Sequence, residues 1–238
     1  MSTVPGNPRG KRYYPLFFSL AGRSCLVVGG GAVGERKVRR LLDYGARVFV
    51  VAEQLTPWLE DRLRAAQVVL LGRSYHTDFL EGMVLVFAAT NDKNINRRIA
   101  EDAHRRGAWC NMATDPEEGD FILPSIYERG PLCIAFSTGG MAPGVARLIR
   151  EQFEQDFGPE WIAALGFLGR LRAAVKELGL QESETQLMFT QLAKLSIPRR
   201  IKEKDFEGMI AAVAAVCRSR LDTERIWALW KEVWKQPS

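Results

Sequence analysis

Residues 24–52, SCLVVGGGAVGERKVRRLLDYGARVFVVA, constrain the fold more than any other part of the chain. The segment opens on an apolar run of strand length and passes through a glycine cluster. Val33, Lys37, Leu41 and Leu42 then recur at helical spacing, Gly45 is a stop signal, and the β-branched Val48, Val50 and Val51 begin a second strand. This is one strand-helix-strand unit. Within it Gly29, Gly31 and Gly34 match G-x-G-x-x-G directly after a predicted strand and at the start of a predicted helix, the context the motif requires. The first glycine permits a tight turn, the second lets a pyrophosphate approach the backbone, and the third lets helix and strand pack closely. The helix N-terminus then faces the phosphates. The alternative is a chance cluster of glycines; the flanking strand and helix favour dinucleotide binding.

Further apolar runs at 68–71, 83–89 and 109–112 alternate with helical stretches at 57–66 and 94–106. Alternation at this pace implies an α/β fold, a Rossmann-type doubly wound parallel sheet of about five strands. Past Pro116 the pattern changes. FILPSIYERGPLCIAFSTGG offers two β-rich segments around Gly130-Pro131, with a helix from about Pro143. Two short strands and one helix cannot bury a core alone, so this region must extend a sheet or pair with a second subunit. From Gly158 strand signals vanish. Trp161, Leu165, Leu168 and Leu171 recur at helical spacing, as do Phe206, Ile210, Val213 and Val216, and then Trp227, Trp230 and Trp234. The expected organisation is a dinucleotide-binding domain over 1–116, a small α+β dimerisation region over 117–157 and an all-helical C-terminal subdomain of about four helices over 158–238. The tryptophan stripe reads as core or interface.

Composition narrows the chemistry. The four cysteines, Cys25, Cys110, Cys133 and Cys217, lie far apart with no zinc-ligand spacing, which suggests a reduced, cytoplasmic chain and no resident metal. Only His76 and His104 are present, both expected at the surface, so proton transfer must lean on carboxylates. No apolar run approaches the length of a membrane span, and the first residues lack the apolar core of a signal peptide. The net charge of +5 is uneven: Arg9, Lys11, Arg12, Arg23, Arg36, Lys37, Arg39, Arg40 and Arg47 face only Glu35 and Asp43 in the first fifty residues. That excess suits an anionic small molecule or nucleic acid, and its place around the glycine turn favours the small molecule.

Several residues stand out as candidates. Gly29, Gly31, Ala32, Val33 and Gly34 form the phosphate turn. Glu53, with Gln54 beside it, lies about twenty residues past the glycines, where an acid accepts hydrogen bonds from the ribose of NAD. No arginine directly follows Val51 to welcome the 2′-phosphate of NADP; alternatively, Glu53 is a solvated charge beside Thr56-Pro57. Thr90 and Asn91 end the fourth strand near the cofactor, or Asn91 or Asp92 caps the next helix. Ser137, Thr138, Gly139 and Gly140 precede a helix; their backbone N–H groups suit a carboxylate, or the segment is a plain helix cap. Arg147 and Arg150 on that helix either add to the positive field or are solvated.

RYYPLFFSLAGRSCLVVGGGAVGERKVRRLLDYGARVFVVA, FAATND and CNMATDPEEGDFILPSIYERGPLCIAFSTGGMAPGVARLIRE together resemble the precorrin-2 dehydrogenase and sirohydrochlorin ferrochelatase family, which includes the N-terminal module of siroheme synthase. The resemblance runs from about Tyr14 to Glu151. It implies NAD-dependent oxidation of precorrin-2 to sirohydrochlorin, followed in some members by insertion of ferrous iron, the iron being substrate. It also implies an interlocked homodimer with its active site in a cleft, the octacarboxylate substrate matching a basic enzyme. The family's catalytic aspartate, in a segment often reading N-V-V-D, falls on Thr114 here. Asp115 is the neighbouring candidate for the general base, with Thr114 left to touch substrate; the competing reading of Asp115-Pro116 is a turn. The threonine weighs most against iron insertion, which needs a base for the pyrrole protons. The rival functions are a non-catalytic NAD-sensing domain, a dehydrogenase of another polycarboxylate and a nucleic-acid binder. The last predicts steeply salt-dependent DNA binding, and no nucleic-acid or membrane partner is expected.

Overall fold

The computed structural model describes residues 13–218 and 220–234. Arg9, Lys11 and Arg12 of the expected positive field lie outside them. The chain divides between Leu123 and Pro124 into two compact units.

In the first unit β1 (Ser24–Val28), α1 (Ala32–Asp43), β2 (Arg47–Val51), α2 (Pro57–Arg64), β3 (Val68–Gly72), β4 (Leu85–Ala88), α3 (Lys93–Arg105) and β5 (Trp109–Met112) follow one another. The strands form one sheet in the order β3-β2-β1-β4-β5, and every pairing is parallel. Strict alternation along β1 explains why its whole run is apolar. Cys25 and Val27 join Val38, Leu41, Val48, Val50 and Leu59 in one core, while Leu26 and Val28 join Val86, Ile99, Ala103 and Cys110 in another. Helices therefore cover both faces. α2 ends two residues before the expected boundary because Ala66 adopts a left-handed φ of 54°. The segment after β5 still belongs to this core: the Phe121 ring meets Phe87 edge-on at 5.6 Å, Asn111 Nδ2 donates to the Phe121 carbonyl at 2.9 Å, and the Cys110 N–H donates to Asp120 at 2.8 Å.

Asp102, 3% exposed, pins α3 to the loop after β3, accepting from Thr77 at 2.9 Å and Tyr75 at 3.0 Å and pairing with Arg105. Burial alone would raise its carboxyl, but these donors outweigh burial and hold it below the ordinary value.

In the second unit β6 (Ser125–Arg129) and β7 (Leu132–Phe136) form a separate antiparallel hairpin, closed through Gly130 at φ 54°. After α4 (Pro143–Asp156) come α5 (Pro159–Glu177), α6 (Glu182–Ala193), α7 (Ile197–Lys202), α8 (Phe206–Cys217) and α9 (Thr223–Trp234). The described tail thus holds five helices rather than about four. The extra one, α7, is a six-residue piece entered through Ser196 in the left-handed region. Phe167, Leu171, Val175, Met209, Ile210, Val213, Ile226 and Trp230 form the centre of this unit. On α5 the buried face is Ala164, Phe167, Leu171, Ala174 and Val175, which is rotated from the expected stripe. Within α5, an added Cβ at Gly166 would lie 3.2 Å from Val233 of α9. Trp230 is buried edge-on against Phe167 at 5.6 Å, whereas Trp234 stacks on Trp230 at 5.3 Å and stays 57% exposed.

Cys25, Cys110 and Cys217 are buried free thiols; burial pushes Cys25 up to about 11 and Cys110 up to about 12. Among the described residues no helix is long and apolar enough to cross a membrane, and no three His, Cys, Asp or Glu side chains gather as metal ligands.

Candidate dinucleotide and substrate site

The glycine turn sits at the carboxyl end of β1, held between its neighbours. The Gly29 N–H donates to the Val51 carbonyl and the Ala89 N–H to the Val28 carbonyl, both at 2.8 Å. Gly29 has φ 122°, and a Cβ there would lie 2.3 Å from the Ala89 oxygen. At Gly34 an added Cβ would come within 1.9 Å of the Gly29 oxygen, so this residue lets α1 lie against the turn. Gly30, an unspecified position of the motif, is just as constrained: its Cβ would meet the Gln54 oxygen at 2.2 Å, and its own carbonyl accepts from the Thr56 N–H at 3.1 Å. Sequence reasoning missed Gly30, since only the path of the β2–α2 loop shows the need.

Gly31 is the exception. Nothing lies within 4 Å of its Cβ direction, and the residue is exposed. It is the N-cap of α1, with no capping side chain, and the first helical bond runs from the Glu35 N–H to its carbonyl at 2.9 Å. The N–H groups of Ala32, Val33 and Gly34 therefore have no acceptor within the helix and open onto the space beside Gly31. Such a cradle, with the positive end of the helix dipole behind it, fits a pyrophosphate. Glu35, one turn in, is held below its ordinary value by a hydrogen bond with Thr56 and by the Arg39 guanidinium at 2.6 Å.

Beyond β2 and β3 a cavity of about 430 Å³ is lined by Ala52, Glu53, Gln54, Leu55, Glu60, Leu70 and Arg73. Two of the sequence candidates, Glu53 and Gln54, share it. Arg73, contributed by the neighbouring strand, was not among them.

The other side of the turn is organised by Asn96, a fully buried residue near the start of α3. Its Oδ1 accepts from the Thr90 hydroxyl at 2.7 Å and the Thr90 N–H at 3.1 Å. Its Nδ2 donates to the Thr90 carbonyl at 2.9 Å and the Thr114 hydroxyl at 3.2 Å. Thr90 and Thr114, the ends of β4 and β5, are thereby tied together. The cap of α3 is Asp92, which accepts from the N–H groups of Asn94 and Ile95; Asn91 is exposed. Asp115 follows at the surface and begins a 3-10 turn through Pro116–Glu118, its carbonyl accepting from the Glu118 N–H at 3.1 Å. The turn uses the Asp115 backbone, and the Asp115 carboxylate makes no capping bond and interacts electrostatically with Arg97. Both histidines are exposed.

In the second unit Gly139 and Gly140 have φ of 63° and 78°. The Gly139 N–H donates to Ser137 Oγ at 3.0 Å and the Ala142 N–H to Thr138 Oγ1 at 3.4 Å. Each hydroxyl, having accepted a bond, keeps its own hydrogen to donate. Pro143 opens α4 with no side-chain cap. Arg147 and Arg150 are engaged along the helix by Glu151 and Glu154, at 2.9 and 2.8 Å.

Comparison with known proteins places this geometry in context. Residues 16–125 match a family described as putative NAD(P)-binding, and residues 129–155 match one described as sirohaem biosynthesis protein central. Siroheme synthase 2 of Pectobacterium atrosepticum is 36% identical over 215 residues, covering 88% of this chain and 43% of that protein. Siroheme synthase 1 of Aeromonas salmonicida is 41% identical over 164 residues, 69% of this chain and 35% of that one. The chain thus spans less than half the length of these curated relatives. A solved structure named SirC, precorrin-2 dehydrogenase, superposes with a TM-score of 0.68 over 94% of this chain and 100% of that one at 22% identity, a likeness of fold. By these matches the chain belongs to the precorrin-2 dehydrogenase and sirohydrochlorin ferrochelatase family, as a module of the siroheme synthase kind.

Proposed function

We propose that the chain is an NAD-dependent oxidoreductase that converts precorrin-2 to sirohydrochlorin in siroheme formation. The observation that carries this reading is the glycine turn: the chain's own backbone fills the space at Gly29, Gly30 and Gly34, and Gly31 alone is left open in front of the unbonded N–H groups of α1. The names of the relatives and of the structural neighbour support the substrate.

The pyrophosphate of NAD rests on the N–H groups of Ala32, Val33 and Gly34, with Gly31 giving it room. Glu53 and Gln54 meet the ribose, and Thr90 borders the cofactor at the end of β4. Bound there, NAD supplies the acceptor for a hydride from carbon. Asp115 accepts the accompanying proton at its carboxylate, and Thr114 touches the substrate beside it. Ser137 and Thr138 donate their hydroxyl hydrogens, and Gly139 and Gly140 shape the backbone, around a substrate carboxylate. The division at 116 and 157 belongs to this same proposal. Met141, Val145 and Leu148 are exposed apolar residues of the middle segment that support its pairing in a homodimer. The protein works in the cytosol.

Purified protein given precorrin-2 and NAD without oxygen should form NADH together with the absorbance of sirohydrochlorin; absence of turnover overturns the proposal. Asp115→Asn should slow conversion and leave NAD affinity nearly unchanged, which separates the enzyme from an NAD-sensing domain. A second assay with sirohydrochlorin and ferrous iron, run without NAD, reads iron insertion, and siroheme formed there extends the proposal to chelation.

A further inference from the structure

Glu53 and Arg73 come from the ends of adjacent strands and line one cavity. Their juxtaposition depends on an irregularity. β2 and β3 pair Val50 with Leu70 but Val51 with Gly72, so β3 carries one extra residue at its end. In a regular strand, residues three apart point to opposite faces. Here Leu70 and Arg73 line the same cavity, because the extra residue re-aims the chain beyond it, as bulges beside binding sites do.

The charges in this cavity are of two kinds. Glu60 is engaged by Arg64 at 3.2 Å. Among the described residues neither Glu53 nor Arg73 has an ion pair or a hydrogen bond, with each other or with any other group. An ionised carboxylate accepts two hydrogen bonds from a ribose diol and repels a phosphate in the same place. A guanidinium offers a planar fork that matches phosphate oxygens. The cavity therefore holds one group suited to each form of the adenosine ribose.

We propose that Arg73 is a specificity-determining residue: the cavity takes the free diol of NAD beside the Glu53 carboxylate, and substituting that carboxylate by a neutral group lets Arg73 bind the 2′-phosphate of NADP. This rests on the reading of the glycine turn as the dinucleotide site. Both side chains are exposed, so substitution leaves the core intact.

The experiment is direct titration of NAD and of NADP, by calorimetry, into the parent, E53Q and the E53Q/R73A double variant. The parent should prefer NAD. E53Q should shift the ratio of affinities toward NADP by about tenfold or more, the worth of one charge-assisted phosphate contact, and the double variant should lose most of that shift. The gain in E53Q should also shrink as salt rises. If the parent binds NAD and E53Q shows no shift, or the double variant keeps the whole shift, the role of Arg73 is refuted while the dinucleotide site stands. A parent that binds neither nucleotide overturns the dinucleotide reading, and this proposal with it.

Discussion

Two glycine turns lead into helices in this chain, and they are built on opposite plans. At residues 29–34 the glycines exist because backbone occupies the place of their side chains: Ala89 beside Gly29, Gln54 beside Gly30 and the turn itself beside Gly34. At residues 137–140 the glycines exist for their backbone angles. Gly140 has φ 78°, with open space where its Cβ would be, and only local hydroxyl bonds brace the loop. The first turn is specified by packing, so an open position within it is informative. The second is specified by conformation alone, and its openness singles out no atom.

The contrast can be tested by substitution, beginning where packing is tightest. Gly34→Ala should cost about 3 kcal/mol or more in urea unfolding, because backbone has to move to admit the methyl group. A loss below 1 kcal/mol would mean that α1 is free to lift from the turn. Asn96→Ala should cost about 2 kcal/mol, since the Thr90 N–H and the Thr114 hydroxyl lose their partner, and it should weaken NAD binding by releasing the Ala89–Thr90 wall.

Lys37, on α1 behind the first turn, lies 5.6 Å from the Phe87 ring, and burial, with Arg36 and Arg40 nearby, lowers its amine from 10.5 to about 8. A depressed lysine means the unfolded chain binds more protons between those values. The charged amine is therefore a cost that is complete below pH 8 and gone above about pH 10.5. Lys37→Met should raise stability at pH 7 by about 1 kcal/mol, part of the linkage cost being offset by the lost ring contact. The advantage should fade as the pH climbs from 8 to 10.5; an advantage that grows with pH would reverse the assignment. The smallest effect belongs to the second turn, where Gly140→Ala should cost at most about 1 kcal/mol, the strain of a left-handed angle alone.

What the sequence disclosed follows the same division. β1, α1 and β2 were legible because β-branched runs, helical spacing and Gly45 all agree locally, and residues 109–112 were bounded correctly as β5. Glu53, which lines the cavity past β2, was singled out by its distance from the glycines. Gly30, Asn96 and Arg73 were not, because each owes its setting to a part of the chain outside its own segment or pattern: the loop carrying Gln54, the end of β5, and the extra residue in β3. α5 misled for another reason. Apolar on nearly every side, it has no stripe to read.

The central claim is that Gly31 is open because a dinucleotide phosphate occupies that place. Its φ of −80° suits any residue, so Gly31→Ala should fold normally, within about 1 kcal/mol of the parent in unfolding. Calorimetric titration of NAD into this variant is the most direct test. An affinity lowered by about tenfold or more, with stability preserved, is the result expected of a methyl group placed against the pyrophosphate. NAD bound as tightly by Gly31→Ala as by the parent would contradict the account.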